Sequence, residues 1–270
     1  MIEGSAGGRA VARPAPALRS VAALAALELR LTARRGENVL VTLVIPAAVL
    51  LFFGGVAVPP GLPGRPVDHL LPGTIALAIV AAGLVSLGIA TAYERSYGVL
   101  KRLGGAPLPR WGLFAAKAGA LLVLELIQVL VLAAVAVVVF RWAPGPGWSP
   151  ILAAVAIVLG TLVFAALGLL LAGTLRAEVT LALANGLFLA FLMLGGLVVP
   201  VAQLPPFLQS VAAVLPATAL ADLLRIALDS SALQESGRGP AAGALTVLAG
   251  WAAGAAVLAV RLFRWDDERH

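Results

Sequence analysis

The sequence predicts an all-α, polytopic membrane protein, and three observations carry that expectation. Of 270 residues, 61% are hydrophobic and only 12% charged, against roughly half and a quarter in an ordinary globular domain. Mean hydropathy is +1.03, more apolar character than a core of this size hides. The apolar residues gather into six runs of about the 20 residues that a bilayer core requires. These runs are continuous and rich in Ala, Leu and Val rather than alternating, which argues against a transmembrane β-barrel. The composition also excludes a soluble enzyme, a disordered protein and a nucleic-acid-binding domain. There is no cysteine, so disulfides and thiolate chemistry are excluded as well.

The elements follow in order. Residues 1–17 are dominated by Gly, Ala, Pro and Arg and are expected to form a disordered N-terminal tail. Residues 18–38 read as a basic, weakly amphipathic interfacial helix. Leu24, Leu27 and Leu31 share one face and Arg19, Arg30 and Arg34 another, while Glu28 and Arg35 spoil the pattern. The transmembrane domain follows over 39–263, with spans expected at about 39–58, 70–92, 113–140, 151–175, 181–199 and 244–263. Turn chemistry separates them at Pro59-Pro60-Gly61, Pro144-Gly145-Pro146-Gly147 and Gly237-Arg238-Gly239-Pro240. Only Arg176, Ala177 and Glu178 interrupt spans four and five, as a tight polar hairpin. Residues 264–270 form a short tail. The first apolar run is read as a retained span, not a signal peptide. It follows six arginines and ends in a Pro/Gly turn rather than a small-residue cleavage site.

An even number of spans puts both termini on one side. Placing them inside leaves 15 of the 19 basic residues on inner segments, so the positive-inside rule predicts cytoplasmic termini and a multi-pass protein of the cytoplasmic membrane. The remaining four, Arg65, Arg141, Arg225 and Arg238, fall outside.

No catalytic constellation can be assembled. The histidines are His69, in an outer loop, and His270, the last residue. There is no His-Glu-x-x-His, no Gly-x-Ser-x-Gly and no phosphate loop, since neither Lys101 nor Lys117 follows a glycine. No metal site and no cofactor are expected in this chain. If ATP is used, another chain binds it with Mg and hydrolyses it.

Intramembrane polar groups are few: Glu125 with Gln128 about one turn on, and Asn185 in span five. Glu125 reads either as a residue that handles substrate or protons, or as a carboxylate hydrogen-bonded to a neighbouring helix. Its eight-residue separation from Lys117, about 12 Å along a helix, argues against pairing with that lysine. The glycines Gly83, Gly88, Gly160, Gly168 and Gly173 suit close helix approach.

Two segments carry more information. The loop after span two reads Glu94-Arg95-Ser96-Tyr97-Gly98-Val99-Leu100-Lys101-Arg102-Leu103-Gly104-Gly105-Ala106-Pro107-Leu108-Pro109. Val99, Leu100 and Leu103 form a short amphipathic turn beside Lys101 and Arg102, closed by Gly104-Gly105 and Pro107. That shape suits docking into a groove on a soluble partner. The second segment follows span five. It contains Gly195-Gly196, Pro200, Leu204-Pro205-Pro206, Pro216 and Arg225. Prolines break its apolar character too often for a full span. Two short helices, about 206–214 and 217–227, arranged as a re-entrant hairpin at the outer face, fit better.

Both segments resemble ABC-2 type transporter permeases, the membrane subunits of ABC exporters, of the daunorubicin-resistance kind. In that family a Glu-Arg pair, Gly-x-Leu-Lys/Glu-Arg-Leu and a small-residue step before Pro-Leu-Pro mark the first cytoplasmic loop. Here Ser96-Tyr97 stands where a second acidic residue is common, and Val99 where threonine is. Gly-Gly…Pro…Leu-Pro-x-Leu-Gln marks the outer hairpin, with Leu215 where asparagine commonly precedes the proline. The resemblance implies a coupling helix contacting a nucleotide-binding ATPase subunit through Glu94, Arg95, Gly98, Val99, Leu100, Lys101, Arg102, Leu103, Ala106 and Pro107. It further implies a homodimer, or a heterodimer with a related permease, around a path for cargo. Few charges and 6% aromatic residues favour an amphipathic or lipophilic cargo, such as a drug, antibiotic or lipid. The alternative is an ion-coupled secondary transporter acting alone through Glu125.

Overall fold

The computed structural model describes residues 17–34, 36–55, 65–100, 110–228 and 241–263. Both expected tails, apart from Ala17, lie outside these residues. The described elements are α1 (Ala17–Arg34), α2 (Gly36–Gly55), α3 (Pro66–Ser96), α4 (Arg110–Phe140), α5 (Pro150–Thr174), α6 (Ala177–Leu194), α7 (Pro206–Ala212), α8 (Pro216–Leu228) and α9 (Ala241–Leu262). No strand occurs among the described residues. Helices α3, α4, α5, α6 and α9 are each long and apolar enough to cross a membrane, and α2 is apolar over Leu43–Gly55. The all-α polytopic fold is therefore present.

Several ends differ from the sequence expectation, each for a local reason. Residues 36–38 lie in α2 rather than in the interfacial helix. Helix α3 runs well past both ends of its apolar stretch. It starts at Pro66, where a missing N–H costs nothing, and Asp68 accepts from the Arg65 backbone in its first turn. Helix α6 starts early at Ala177, after an extended Arg176. It stops at Leu194 because Gly196 takes a left-handed φ of +67°, which glycine adopts without a Cβ penalty. Residues 195–199 are therefore not helical, although their side chains are apolar.

Helix α3 is the axis of the molecule. Every residue from Leu70 to Val80 is buried, packed by α2, α4, α5 and α8. All five glycines named above sit at helix crossings within this chain. A Cβ at Gly83 would meet Phe164 and Ala165 at 2.8 Å, Gly88 faces Gly168, Gly160 faces Leu220, and Gly173 faces Phe263. Without Cβ atoms the α3 and α5 backbones come close enough for dense van der Waals contact, the main attraction between helices in lipid. At this crossing Ala81–Leu87 of α3 forms a π-helical segment. Outward faces of α2, α4 and α6 carry exposed Ile45, Phe52, Leu130, Val138, Leu189 and Met193, apolar surface that lipid covers and water does not tolerate in bulk.

Candidate functional site

Three clusters hold the residues singled out by sequence. The first sits where α3 ends. Glu94 and Arg95 lie in the last turn of α3. Arg95 is buried, and its guanidinium donates to the Leu175 carbonyl beyond the end of α5, at 2.5 Å. A cation at this position also suits the negative end of that helix. Tyr97 is 76% exposed. Gly98 has φ +71° with open space around its missing Cβ, so conformation, not crowding, demands glycine there. The chain then turns helical again. Val99 is exposed, while Leu100 is buried against Leu24, Leu113, Ala116 and Phe263. Lys101, Arg102, Leu103, Ala106 and Pro107 lie outside the described residues.

The cluster is fixed by a residue that sequence reasoning weighed as an inner-side cation and as a partner too distant for Glu125. Lys117 of α4 is fully buried, and its Nζ lies 2.8 Å from Glu28 of α1 and 2.8 Å from Glu94 of α3. One ammonium thus ties three helices together. The available signal was Glu28, an acid spoiling a basic amphipathic face. Its partner could not be read from local periodicity.

The second cluster lies mid-span. Glu125 of α4 is completely buried and its carboxylate meets the Thr161 hydroxyl of α5. Gln128 is buried on the same helix. Asn185 is not brought to them. It is exposed on α6 and donates 2.8 Å to Leu181 O of its own helix. The contact with Thr161 joins α4 to α5.

The third cluster is the hairpin, at the opposite end of the bundle. Helices α7 and α8 meet at 80°. The break between them reaches deep, since Trp251 Nε1, halfway along α9, donates 2.9 Å to Val214 O. Helix α8 then returns to the loop before α5, where Gly145 N–H and Ser149 N–H donate to Leu228 O and Ala227 O at 3.0 and 2.8 Å. The chain enters and leaves from one end, which is re-entrant geometry. Trp251 and the 145–149 loop pair the carbonyls of Val214, Ala227 and Leu228, as irregular backbone at membrane depth requires, while the side chains of Ala213 and Val214 at the break stay exposed. Pro200 precedes a short 3₁₀ turn, Val201–Gln203, and Pro205 caps α7. Leu204 O accepts from Gln209 Nε2 at 2.7 Å. Pro216 opens α8 and is buried, and Gly195 abuts Ala217. Arg225 is buried and pins the assembly: it bonds Asp222 at 3.0 Å, Gly196 O at 2.5 Å and His69 Nε2 at 3.3 Å. His69, set aside as an outer-loop residue, is thus a tether between α3 and the hairpin, and Trp251 was not anticipated.

Among the described residues no group of three His, Cys, Asp or Glu side chains is placed to hold a metal. A family model described as ABC-2 type transporter matches residues 19–228, from the first helix through the hairpin. No curated protein matches the chain.

Proposed function

The chain belongs to the ABC-2 type transporter family, and from that premise we propose that it exports an amphipathic or lipophilic cargo across the cytoplasmic membrane. It is a permease component of an ABC transporter, and its family works with an ABC ATPase subunit. In this reading both termini are cytoplasmic, two copies enclose the path, and the partner ATPase binds ATP and Mg. The docking element is the segment from Glu94 to Pro107.

One observation carries the proposal. The segment leaves α3 through a left-handed turn at Gly98, one turn after Glu94 is locked to Lys117, which also holds Glu28. A push delivered beyond Gly98 therefore reaches α1, α3 and α4 together, because their charges are not free to slide past one another. Leu100, seated against α1, α4 and Phe263, adds an apolar anchor at the same point. The small-residue crossing of α3 and α5 extends this rigid unit toward the hairpin.

Charge reversal tests the docking role. Lys101→Glu combined with Arg102→Glu is expected to leave membrane insertion and thermal stability unchanged. Recovery of the ATPase subunit from native membranes should fall at least about tenfold, because like charges set against each other at an interface cost several kcal/mol. Undiminished recovery would remove these cations from the interface.

A carrier acting alone is the competing reading, and one observation favours it: Glu125 Oε1 is buried with no hydrogen-bond partner among the described residues. Glu125→Gln separates the two. Glutamine retains the contact with Thr161 but cannot exchange a proton, so ATP-driven export should persist with little change. If the variant loses transport, and the unmodified chain reconstituted alone moves cargo down a proton gradient, the carrier reading replaces the first.

A further inference from the structure

A cavity lined by α1, α2, α3 and α4 opens beside the Glu28–Lys117–Glu94 cluster. Its volume is about 180 Å³, more than the roughly 150 Å³ that accommodates a benzene ring in an engineered protein cavity. Glu28, Glu94 and Lys117 stand at one end and Gln128 at the other, with Leu121 and Leu124 on the wall between them. The eleven-residue separation of Lys117 and Gln128 corresponds to about 16 Å of helix. The cleft is therefore elongated, apolar along its length and charged at one end. Part of its wall, Ala82, Ser86 and Leu87, belongs to the π-helical segment of α3, a backbone departure frequent at functional positions.

Among the described residues the charge paired at that end does not balance. Two carboxylates share one ammonium. The Lys117 side chain is 1% exposed, whereas those of Glu28 and Glu94 keep 16% and 21%. The lysine charge is thus directed inward, and carboxylate oxygen remains accessible. Among the described residues, Lys117 is the one cation paired with either acid. A negative charge beside an apolar wall is stabilised by a ligand carrying the opposite charge on an apolar body.

We propose that this cleft binds a monovalent lipophilic cation: an amphiphile with a single ammonium head, placed at Glu28 and Glu94, and an apolar body along Leu121 and Leu124. An anionic amphiphile of the same shape would set like charges together. The inference does not rest on the exporter reading, because binding is a property of this chain without ATP or partner.

The test uses the purified full-length chain in detergent with a fluorescent alkyl-trimethylammonium probe and an alkyl-sulfonate probe of equal chain length and fluorophore. Saturable binding of the cation, at least about tenfold tighter than the anion, is expected, the worth of one charge-assisted contact in a partly buried site. Glu28→Gln and Glu94→Gln should each weaken cation binding by a similar factor without weakening the anion. Each leaves Lys117 one carboxylate, and unchanged thermal unfolding confirms that the fold survives. Ser86→Phe, which adds bulk at an exposed lining position, should block the cation while both acids remain. Equal affinity for the two probes, non-saturable uptake, or cation binding indifferent to all three substitutions overturns the proposal.

Discussion

Lys117→Met is expected to destabilise the folded chain by about 3–5 kcal/mol, the usual cost of removing one partner from a buried ion pair. The ammonium is enclosed between Glu28 and Glu94, 2.8 Å from each. Removing it leaves two carboxylates facing one another with no counter-charge, each mostly withdrawn from the surface. A lower midpoint of thermal unfolding in detergent, together with loss of a monodisperse species, checks this. A change below about 1 kcal/mol, the range of exposed pairs, would mean that the cluster is solvated and couples nothing. The triple variant Lys117→Met, Glu28→Gln, Glu94→Gln should recover much of the stability, because removing charges together leaves none unpaired. It should still transport poorly, since α1, α3 and α4 would no longer be tied at the point where the docking segment departs. Stability and transport are expected to separate in that variant, which distinguishes a coupling role from a merely structural one.

Gly168→Leu carries the second large effect. A Cβ at this position would run into the Gly83 carbonyl oxygen and approach Gly88 Cα to 3.2 Å. The obstacle is backbone, which cannot rotate aside as a side chain does. Helices α3 and α5 must separate, and α8, which packs on both, loses its seat. Overpacking a tight interior typically costs about 1–3 kcal/mol and occasionally more; with backbone on the far side, the upper end or beyond is expected. Gly168→Ala should show a large part of the loss, because the clash begins at Cβ. Gly186→Ala and Gly250→Ala provide the contrast. A Cβ at either meets nothing within 4 Å, so alanine should be neutral or stabilising by up to about 1 kcal/mol through helix propensity. Thermal unfolding of the three alanine variants side by side checks the ranking, and equal behaviour would show that the α3–α5 crossing is looser than its geometry indicates.

The spans were legible because their signal is local. Leu70 to Ala92, for example, is recognisable from hydropathy alone, and Gly195-Gly196 with the prolines from Pro200 to Pro216 marks a segment unable to run as one helix. Helix ends were less legible. Ala177 begins α6 although Arg176 and Glu178 are charged, because polar residues near a membrane surface continue a helix at little cost. The five crossing glycines were visible as small residues, but it was not visible that Gly83 and Gly88 would meet Gly168 while Gly160 and Gly173 would meet Leu220 and Phe263. Glu125 and Gln128 were visible as polar groups in an apolar run. The counterpart of Glu125, Thr161, was not, since a threonine in a span signals nothing by itself. Asn185 carried the same sequence signal as Glu125, yet its side chain satisfies itself on the exposed face of α6.

By itself, then, the sequence determined that this chain crosses a membrane repeatedly as helices, and where it breaks. The free energy of placing a residue in lipid depends on that residue and its near neighbours, so it can be summed along the chain. Tertiary structure alone decided which charges meet. Arg225 and His69 are 156 residues apart, and Lys117 reaches acids on two other helices. Such pairs depend on the rotation and depth of each helix, which are set by packing across the bundle rather than by any stretch of sequence.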